Sequence, residues 1–382
     1  MILAELPPLT LYLHLPWCLH KCAYCDFNSH PATTPLDEDR YITALLADLE
    51  LELPLVAGRS VSALFIGGGT PSLFSPAAIQ RLLTGIGERL SLQPGLEVTL
   101  EANPGALDSG HLAGYRAAGV NRLSLGVQSF DPEALQRLGR IHTPAMALAA
   151  IAEAQAVGFP RINIDLMYGL PQHSPAAALA DLAQALDLGI GHLSRYQLTL
   201  EPGTELYRHP PPLPDEEQIA EIEAQGEALL QAAGLQRYEV SAYARSGEAC
   251  QHNLNYWHFG DYLGIGAGAH GKVTTHQAIL RRRRRANPQA YLRQAGHAAA
   301  VPESYPLARS DLIAEFMLNA LRLHRGFPRS LFTARTGLPA SAIAQPLATA
   351  QAQGLLDLQA EWIQPTPLGA QFLNDLMALF VR

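Results

Sequence analysis

The chain has 382 residues, 48% of them hydrophobic and 16% charged, with a formal net charge of −8. At about 150 residues per domain this is chain for two domains, too apolar for wholesale disorder and too acidic for a general nucleic-acid binder held by phosphate contacts. No run approaches the roughly 18 apolar residues of a membrane span, Met1 to Pro16 lacks the pattern of a secretory leader, and three of the four cysteines fall within eight residues, so a cytoplasmic protein with thiolate ligands is expected rather than a disulfide framework.

In chain order, Leu11, Leu13 and Leu15 alternate with Tyr12 and His14 as far as Pro16, the period-2 pattern of a strand. Further strands are predicted over Ser62 to Ile66, Leu96 to Glu101, Arg122 to Val127, Arg161 to Met167 and His192 to Leu200, most ending at glycine or proline breakers. Helices are predicted between them over Ala77 to Leu90, Ser109 to Ala118, Pro132 to Leu138, Met146 to Ala156 and Ala176 to Leu188. Alternation of this kind calls for parallel strands joined by right-handed crossovers, and six units suit an open, partial (β/α)6 TIM-like barrel better than a closed one of eight. The fold class is α/β. After a helix over Asp215 to Ala233, Arg237 to Tyr243 is expected to extend the sheet.

Charge is unevenly spread. Residues 276–382 hold 12 arginines against six acids, and residues 1–275 hold 15 basic against 29 acidic residues, which suggests a barrel domain over 1–275 and a smaller domain over 276–382. In the latter, helices over Asp311 to Leu323, Ala340 to Gln353 and Pro367 to Leu379, with strand-like pieces at Leu355 to Leu358 and Trp362 to Gln364, predict a winged-helix-like fold. None of these helices bears a basic stripe, so a packing role is expected rather than DNA binding. Arg281 to Arg285 reads most simply as a solvated loop.

Chemistry is concentrated after the first strand, at Cys18-x3-Cys22-x2-Cys25. Three thiolates on a tight loop can hold three irons of a 4Fe-4S cube and leave the fourth free to chelate a substrate or cofactor. Structural zinc is the alternative and needs a fourth donor, such as His14, His20 or His30. Gly67-Gly68-Gly69-Thr70 ends the second strand on the same barrel face, where residues without a Cβ let backbone amides approach a carboxylate or ribose. Glu101, Gln128, Arg140 and Asp165 follow on successive units. A carboxylate can bind an ammonium or ribose hydroxyls and Arg140 can grip a carboxylate, so together they complement a zwitterion attached to a ribose.

With Tyr24 in the cysteine loop, Gly67-Gly68-Gly69-Thr70-Pro71, Glu101-Ala102-Asn103-Pro104, Gly126-Val127-Gln128-Ser129-Phe130 and Asp165-Leu166-Met167-Tyr168-Gly169-Leu170-Pro171, the chain resembles radical S-adenosyl-L-methionine (SAM) proteins. The resemblance is to the oxygen-independent coproporphyrinogen III oxidase superfamily and spans nearly the whole chain. It implies that Cys18, Cys22 and Cys25 ligate a 4Fe-4S cluster whose fourth iron is chelated by SAM. By position it also implies SAM contacts at Tyr12, Tyr24, Gly68, Gly69, Thr70, Glu101, Gln128, Arg140 and Asp165, with Thr199 and His270 matching more loosely.

The oxidases of that superfamily carry a fourth cysteine one residue after the third and a longer N-terminal segment. Here the position is Phe27 and the first strand begins near Thr10, which counts against decarboxylation of coproporphyrinogen III. His252-Asn253-Leu254-Asn255-Tyr256-Trp257 is similar to the signature of the superfamily's heme chaperone branch. An imidazole can ligate heme iron and aromatic rings can pack on a flat macrocycle, so His252 is the expected heme ligand. Cys250 is a soft alternative, more simply read as a small buried side chain. The function this implies is to take heme from a donor and deliver it to heme-requiring proteins, respiratory enzymes among them, with the cluster regulating or stabilising rather than turning over substrate. Arg281 to Arg285 then has heme propionates, an acidic partner or an anionic membrane surface as candidate contacts.

Overall fold

The computed structural model describes residues 5–32, 35–56, 58–107 and 110–381. Twelve strands of these residues form the main sheet: β1 (Leu9–Leu15), β2 (Val61–Gly68), β3 (Leu92–Ala102), β4 (Arg122–Gln128), β5 (Arg161–Tyr168), β6 (His192–Gln197), β7 (Gln236–Glu239), β8 (Ala242–Ala244), β9 (Asp261–Ile265), β10 (His270–Thr274), β11 (Ile279–Arg283) and β12 (Glu303–Pro306). Their order is β12-β11-β10-β9-β1-β2-β3-β4-β5-β6-β8-β7. The sheet is open, and its central strands, β9 and β1 to β6, run parallel. All six strands expected from the sequence are present, and the β7–β8 hairpin extends the sheet beside β6. The parallel strand β9 was not foreseen. It is short, runs into the glycine-rich stretch after Ile265, and is held to β1 by pairing across some 250 residues that no local pattern encodes.

Between β1 and β6 run α1 (Glu38–Glu50), α2 (Pro76–Gly87), α3 (His111–Ala118), α4 (Pro132–Arg137), α5 (Pro144–Val157) and α6 (Pro175–Asp187). The expected start of α3 at Ser109 lies outside the described residues. Four of these helices begin with one device: Ser75, Asp131, Thr143 and Ser174 each accept a first-turn N–H on the side chain, and proline follows. The cap satisfies an orphan donor, worth about 1 kcal/mol, and proline has no donor to orphan. Leu13, Ile66, Leu100, Leu125, Ile164 and Leu193 of the strands are buried with Tyr41, Ile79, Leu112 and Ile151 of the helices in one core. α7 (Glu216–Ala232) leads into the β7–β8 hairpin and α8 (Gln251–Trp257) into β9, beyond which β10 to β12 pair antiparallel.

A domain division after residue 275 would cut the β10–β11 pairing. The second core is drawn mainly from residues beyond Pro306: α9 (Arg309–Ala320), α10 (Arg329–Thr336) and α11 (Ala344–Ala352) pack with β13 (Phe327–Pro328), β14 (Leu356–Leu358) and β15 (Trp362–Pro365) around Phe316, Phe327, Phe332 and Ile363. This is the expected helix-and-hairpin arrangement, with Leu254 and Trp257 of α8 packed against it. The helix expected over Pro367 to Leu379 is broken at Phe372.

Arg281 to Arg285 is not a solvated loop. Arg281–Arg283 close β11, and the five guanidinium groups pair with Glu315, Glu52, Glu303, Asp48 with Glu52, and Gln294, respectively. Arg284 is fully buried, the counter-charge to Asp48 and Glu52. Asp48 and Glu52 lie more than 200 residues away in sequence and the nearer partners fall in separate elements, so the run reads as polar in sequence and folds as an ion-pair network. Among the described residues no helix is long and apolar enough to cross a membrane.

Candidate cluster and cofactor site

At the C-terminal ends of β1 to β6 lies a cavity of about 460 Å³. Cys18, Cys22, Tyr24 and Cys25 line it from the loop after β1, Gly68, Gly69 and Thr70 from the end of β2, and Glu101, Gln128, Arg140, Asp165 and Thr199 from the following units. Tyr12, His252 and His270 are absent from its lining.

Backbone contacts bring the glycine turn to the cysteine loop. Gly69 N donates to Leu15 O at 2.8 Å and Thr70 N to Trp17 O at 2.7 Å. A Cβ at Gly69 would stand 2.6 Å from the Trp17 carbonyl, and one at Gly68, where φ is +120°, 2.8 Å from the His14 ring, so only glycine fits. His14 is fixed in turn. The Asn28 carbonyl can only accept, so His14 Nε2 donates to it at 2.9 Å and Nδ1 accepts from the Tyr12 hydroxyl at 2.9 Å. Burial lowers the His14 pKa, in keeping with a neutral ring.

Electrostatically the cavity has two sides. Glu101 accepts from Gly68 N at 3.1 Å, and burial, with Asp165 adding repulsion, raises its pKa to about 8. Asp165 is also raised by burial, against hydrogen bonds from Asn163 at 2.7 Å and Ser124 at 3.3 Å. Opposite in sign, Arg140 donates to Gly126 O at 2.5 Å and Cys22 Sγ at 3.5 Å, while its Nε is buried without a hydrogen-bond partner. Gln128 sits at the β4 bulge with φ +71° and accepts from the Tyr196 hydroxyl at 2.6 Å. Left-handed backbone at a non-glycine costs about 1–3 kcal/mol and persists where the surroundings enforce it, typically at binding sites. Two half-buried carboxyl groups and a guanidinium lining one cavity fit a ligand bearing an amine, hydroxyls and a carboxylate.

Of the three candidate fourth donors for zinc, both ring nitrogens of His14 are taken and His30 bonds Asn28 Oδ1 at 3.2 Å, while His20 lines the cavity with the cysteines. Among the described residues no three His, Cys, Asp or Glu side chains converge as on a single ion, whereas three thiols share one cavity, which suits a polynuclear cluster better. Burial raises the Cys18 and Cys25 thiols, so metal loading releases protons. Cys250 lies apart, 3% exposed, its thiol 3.5 Å from Glu97 Oε1 and pushed up to about 12 by burial.

Sequence reasoning missed Ser124 and Tyr196 in this lining. Strand periodicity offered a signal for Ser124, which shares a face of β4 with Gly126. Tyr196 carried none, because its role comes from the hydrogen bond to Gln128.

A second, wider cavity of about 830 Å³ adjoins the first and shares Lys21, Phe27, Gly68 and Glu101 with it. Its walls include Tyr12, Tyr256, Trp257 and Tyr262, with His270 and Arg283 on its antiparallel side. His252 is absent from this lining too. It is 1% exposed, its Nε2 lies 2.9 Å from the Tyr256 hydroxyl, and its ring stacks on Phe65 at 5.1 Å. Burial lowers its pKa to about 3. His252 thus supports the aromatic wall from behind.

The sequence matches the Radical SAM superfamily over residues 12–183 and the HemN C-terminal domain over residues 307–372. Together with the cysteine loop at the strand ends, these define a radical SAM protein with a HemN-type C-terminal domain, a class that implies a 4Fe-4S cluster and SAM. The chain is 47% identical to heme chaperone HemW of Escherichia coli K12 over 380 residues, 99% of this chain and 100% of that protein. It is 44% identical to HemW of Haemophilus influenzae, across 99% of both. Escherichia coli coproporphyrinogen III oxidase, HemN, a radical SAM enzyme, superposes with a TM-score of 0.83 at 26% identity over 98% of this chain and 90% of that one. The chain belongs to the HemW family.

Proposed function

We propose that this protein is a cytoplasmic heme chaperone that receives heme from a donor, holds it in the wider cavity and releases it to heme-requiring proteins, respiratory enzymes among them. The observation that carries the reading is the 830 Å³ cavity, walled by Tyr256 and Trp257 of the His-Asn-x-x-Tyr-Trp motif, in a chain that matches HemW proteins end to end. Its size lies within the range of about 300–1,000 Å³ usual for cofactor sites. Tyrosine and tryptophan faces suit a flat macrocycle, and Lys21 and Arg283 suit its carboxylates.

In the adjoining cavity Cys18, Cys22 and Cys25 would hold a 4Fe-4S cluster, which supplies an iron free of protein ligands and a low-potential electron. Arg140 would grip the SAM carboxylate, Glu101 and Asp165 would take amine and hydroxyl donors, and Gly68 and Gly69 keep the wall clear of side chains. Thr199 and Gln128 complete the lining. Titrating the protein with hemin tests the reading: a saturable Soret shift at one heme per chain is expected, and its absence would remove the proposal.

The second reading, an oxygen-independent coproporphyrinogen III oxidase, draws on the structural match to HemN. Phe27, 62% exposed where the two cavities meet, opposes it by standing in place of the oxidases' fourth cysteine. Reduced, cluster-loaded protein given SAM and coproporphyrinogen III is expected to form no protoporphyrinogen.

A further inference from the structure

We propose that His270, rather than the motif histidine His252, supplies the imidazole that ligates the heme iron, with Arg283 beside it to receive a propionate. This rests on the reading that the wider cavity takes heme, and it names the ligand within that site.

Three histidines line the cavity, His14, His30 and His270. Both nitrogens of His14 are engaged by Tyr12 and Asn28. His30 donates through Nε2 to Asn28 Oδ1 at 3.2 Å, which fixes its ring on the cysteine-loop side. No hydrogen bond of the described residues engages the His270 ring, and its side chain is exposed to the cavity. The hydroxyls of Tyr12, Tyr256 and Tyr262 are committed to His14, His252 and Arg281. Lys21 Nζ donates to Phe27 O at 3.1 Å. His270 is therefore the lining imidazole that no hydrogen bond of the described residues orients, with its lone pair free for a ligand.

Its position is fixed from three directions. His270 opens β10 and pairs with Arg283 of β11, and directly opposed residues of an antiparallel pair place their side chains about 5 Å apart on one face. Metal ligand and a cation are thus presented together, the cation held only by an exposed pair with Glu303 at 3.3 Å that a propionate can displace. Behind the strand, Gly264 leaves room for the His270 carbonyl, which any Cβ there would strike. Ahead of it, the turn is tied to the cysteine loop, because Asn28 Nδ2 donates to Ala267 O and Ala286 O, both at 2.9 Å.

Protonation favours the role as well. Partial desolvation at the cavity wall and the charges of Arg283 and Arg281 lower the His270 pKa from the usual imidazole value against Glu303, which favours the neutral ring that offers a lone pair. Coordination donates that pair to iron, displaces a water or the previous carrier's ligand, and leaves the iron oxidation state unchanged. An exposed ligand on an open cavity can also be exchanged for an acceptor's ligand, whereas His252 is 1% exposed and even its unpartnered Nδ1 is closed off from the cavity.

The test is a hemin titration of the full chain, cluster reconstituted, read by the Soret band and by electron paramagnetic resonance of the ferric heme. The wild type is expected to show imidazole ligation at one heme per chain. H270A should lose that signature, regain it with added imidazole, and bind about tenfold or more weakly. H270Y should replace it with a phenolate signature, which requires a folded protein and so guards against simple misfolding. H252A should weaken binding while keeping imidazole ligation. If H270A and H270Y both retain the wild-type signature, or if H252A alone abolishes it, this inference is overturned and the chaperone reading stands. If the wild type binds no heme, both fall.

Discussion

The cavity at the strand ends and the wider one beside it share Gly68, Glu101 and Phe27 yet are built by different means. The first collects side chains from the ends of successive parallel strands, each delivered by a local strand–loop unit. Its wall is charged and unsatisfied, with two acids raised by burial and Arg140 Nε unpaired. The second joins the cysteine loop to α8 and the antiparallel strands, more than 200 residues later, and its wall is aromatic with its polar atoms mostly paired. A site that must grip a zwitterion carries strain and desolvated charge in the apo state, whereas a site that must take and release a flat cargo can be prebuilt and open.

Breaking one region while sparing the other gives the largest effect. Cys22→Ser should abolish the iron–sulfur absorption and bring iron content close to zero while a hemin titration still saturates, because Cys22 does not line the wider cavity. Joint loss of both would show that the cavities are not separable. Next in size is the arginine run that frames the wider cavity. Removing buried Arg284 with Arg284→Met should cost about 3–5 kcal/mol in denaturant unfolding, since Asp48 and Glu52 lose their counter-charge. Arg283→Met, at an exposed pair, should cost no more than about 1 kcal/mol.

Within the first cavity, Arg140→Ala should weaken SAM binding by about 1.5–3 kcal/mol in calorimetry with iron content unchanged. Arg140→Lys should recover little, because a point charge cannot reproduce the planar fork. The smallest effect is a pH dependence. Glu101 is raised from its ordinary range to about 8, so the folded apo protein favours the protonated form and loses stability as pH rises from about 4.5 towards 8. SAM favours the ionised form, so its affinity should rise with pH through that window, at most about tenfold per unit. Glu101→Gln should flatten the slope; an unchanged slope would detach Glu101 from the ligand.

Legibility in the sequence followed the same division. The strand ends were readable because the parallel units announce themselves by alternating apolar residues and glycine or proline breakers, four of their helices adding a Ser/Thr/Asp-Pro cap, and the residues after the strand fall on one face. Hence Cys18, Glu101 and Asp165 were assigned together and line one cavity. The antiparallel extension was not readable. β9 is five residues long and glycine-flanked, and Arg281 to Arg285 looked solvated because its acidic partners stand on α1 and elsewhere. His252 drew attention through its motif, but burial against Phe65 and Tyr256 is a tertiary fact. His270, by contrast, was singled out beside the cofactor residues and opens into the other cavity.

The two cavities are expected to hold different ligands at the same time. An anaerobic hemin titration of cluster-loaded protein, run on one sample without and then with saturating SAM, tests it most directly. One heme per chain is expected in both runs, with the Soret band of ligated heme present while SAM remains bound. Loss of heme binding when SAM is added, or no heme binding in either run, would contradict it.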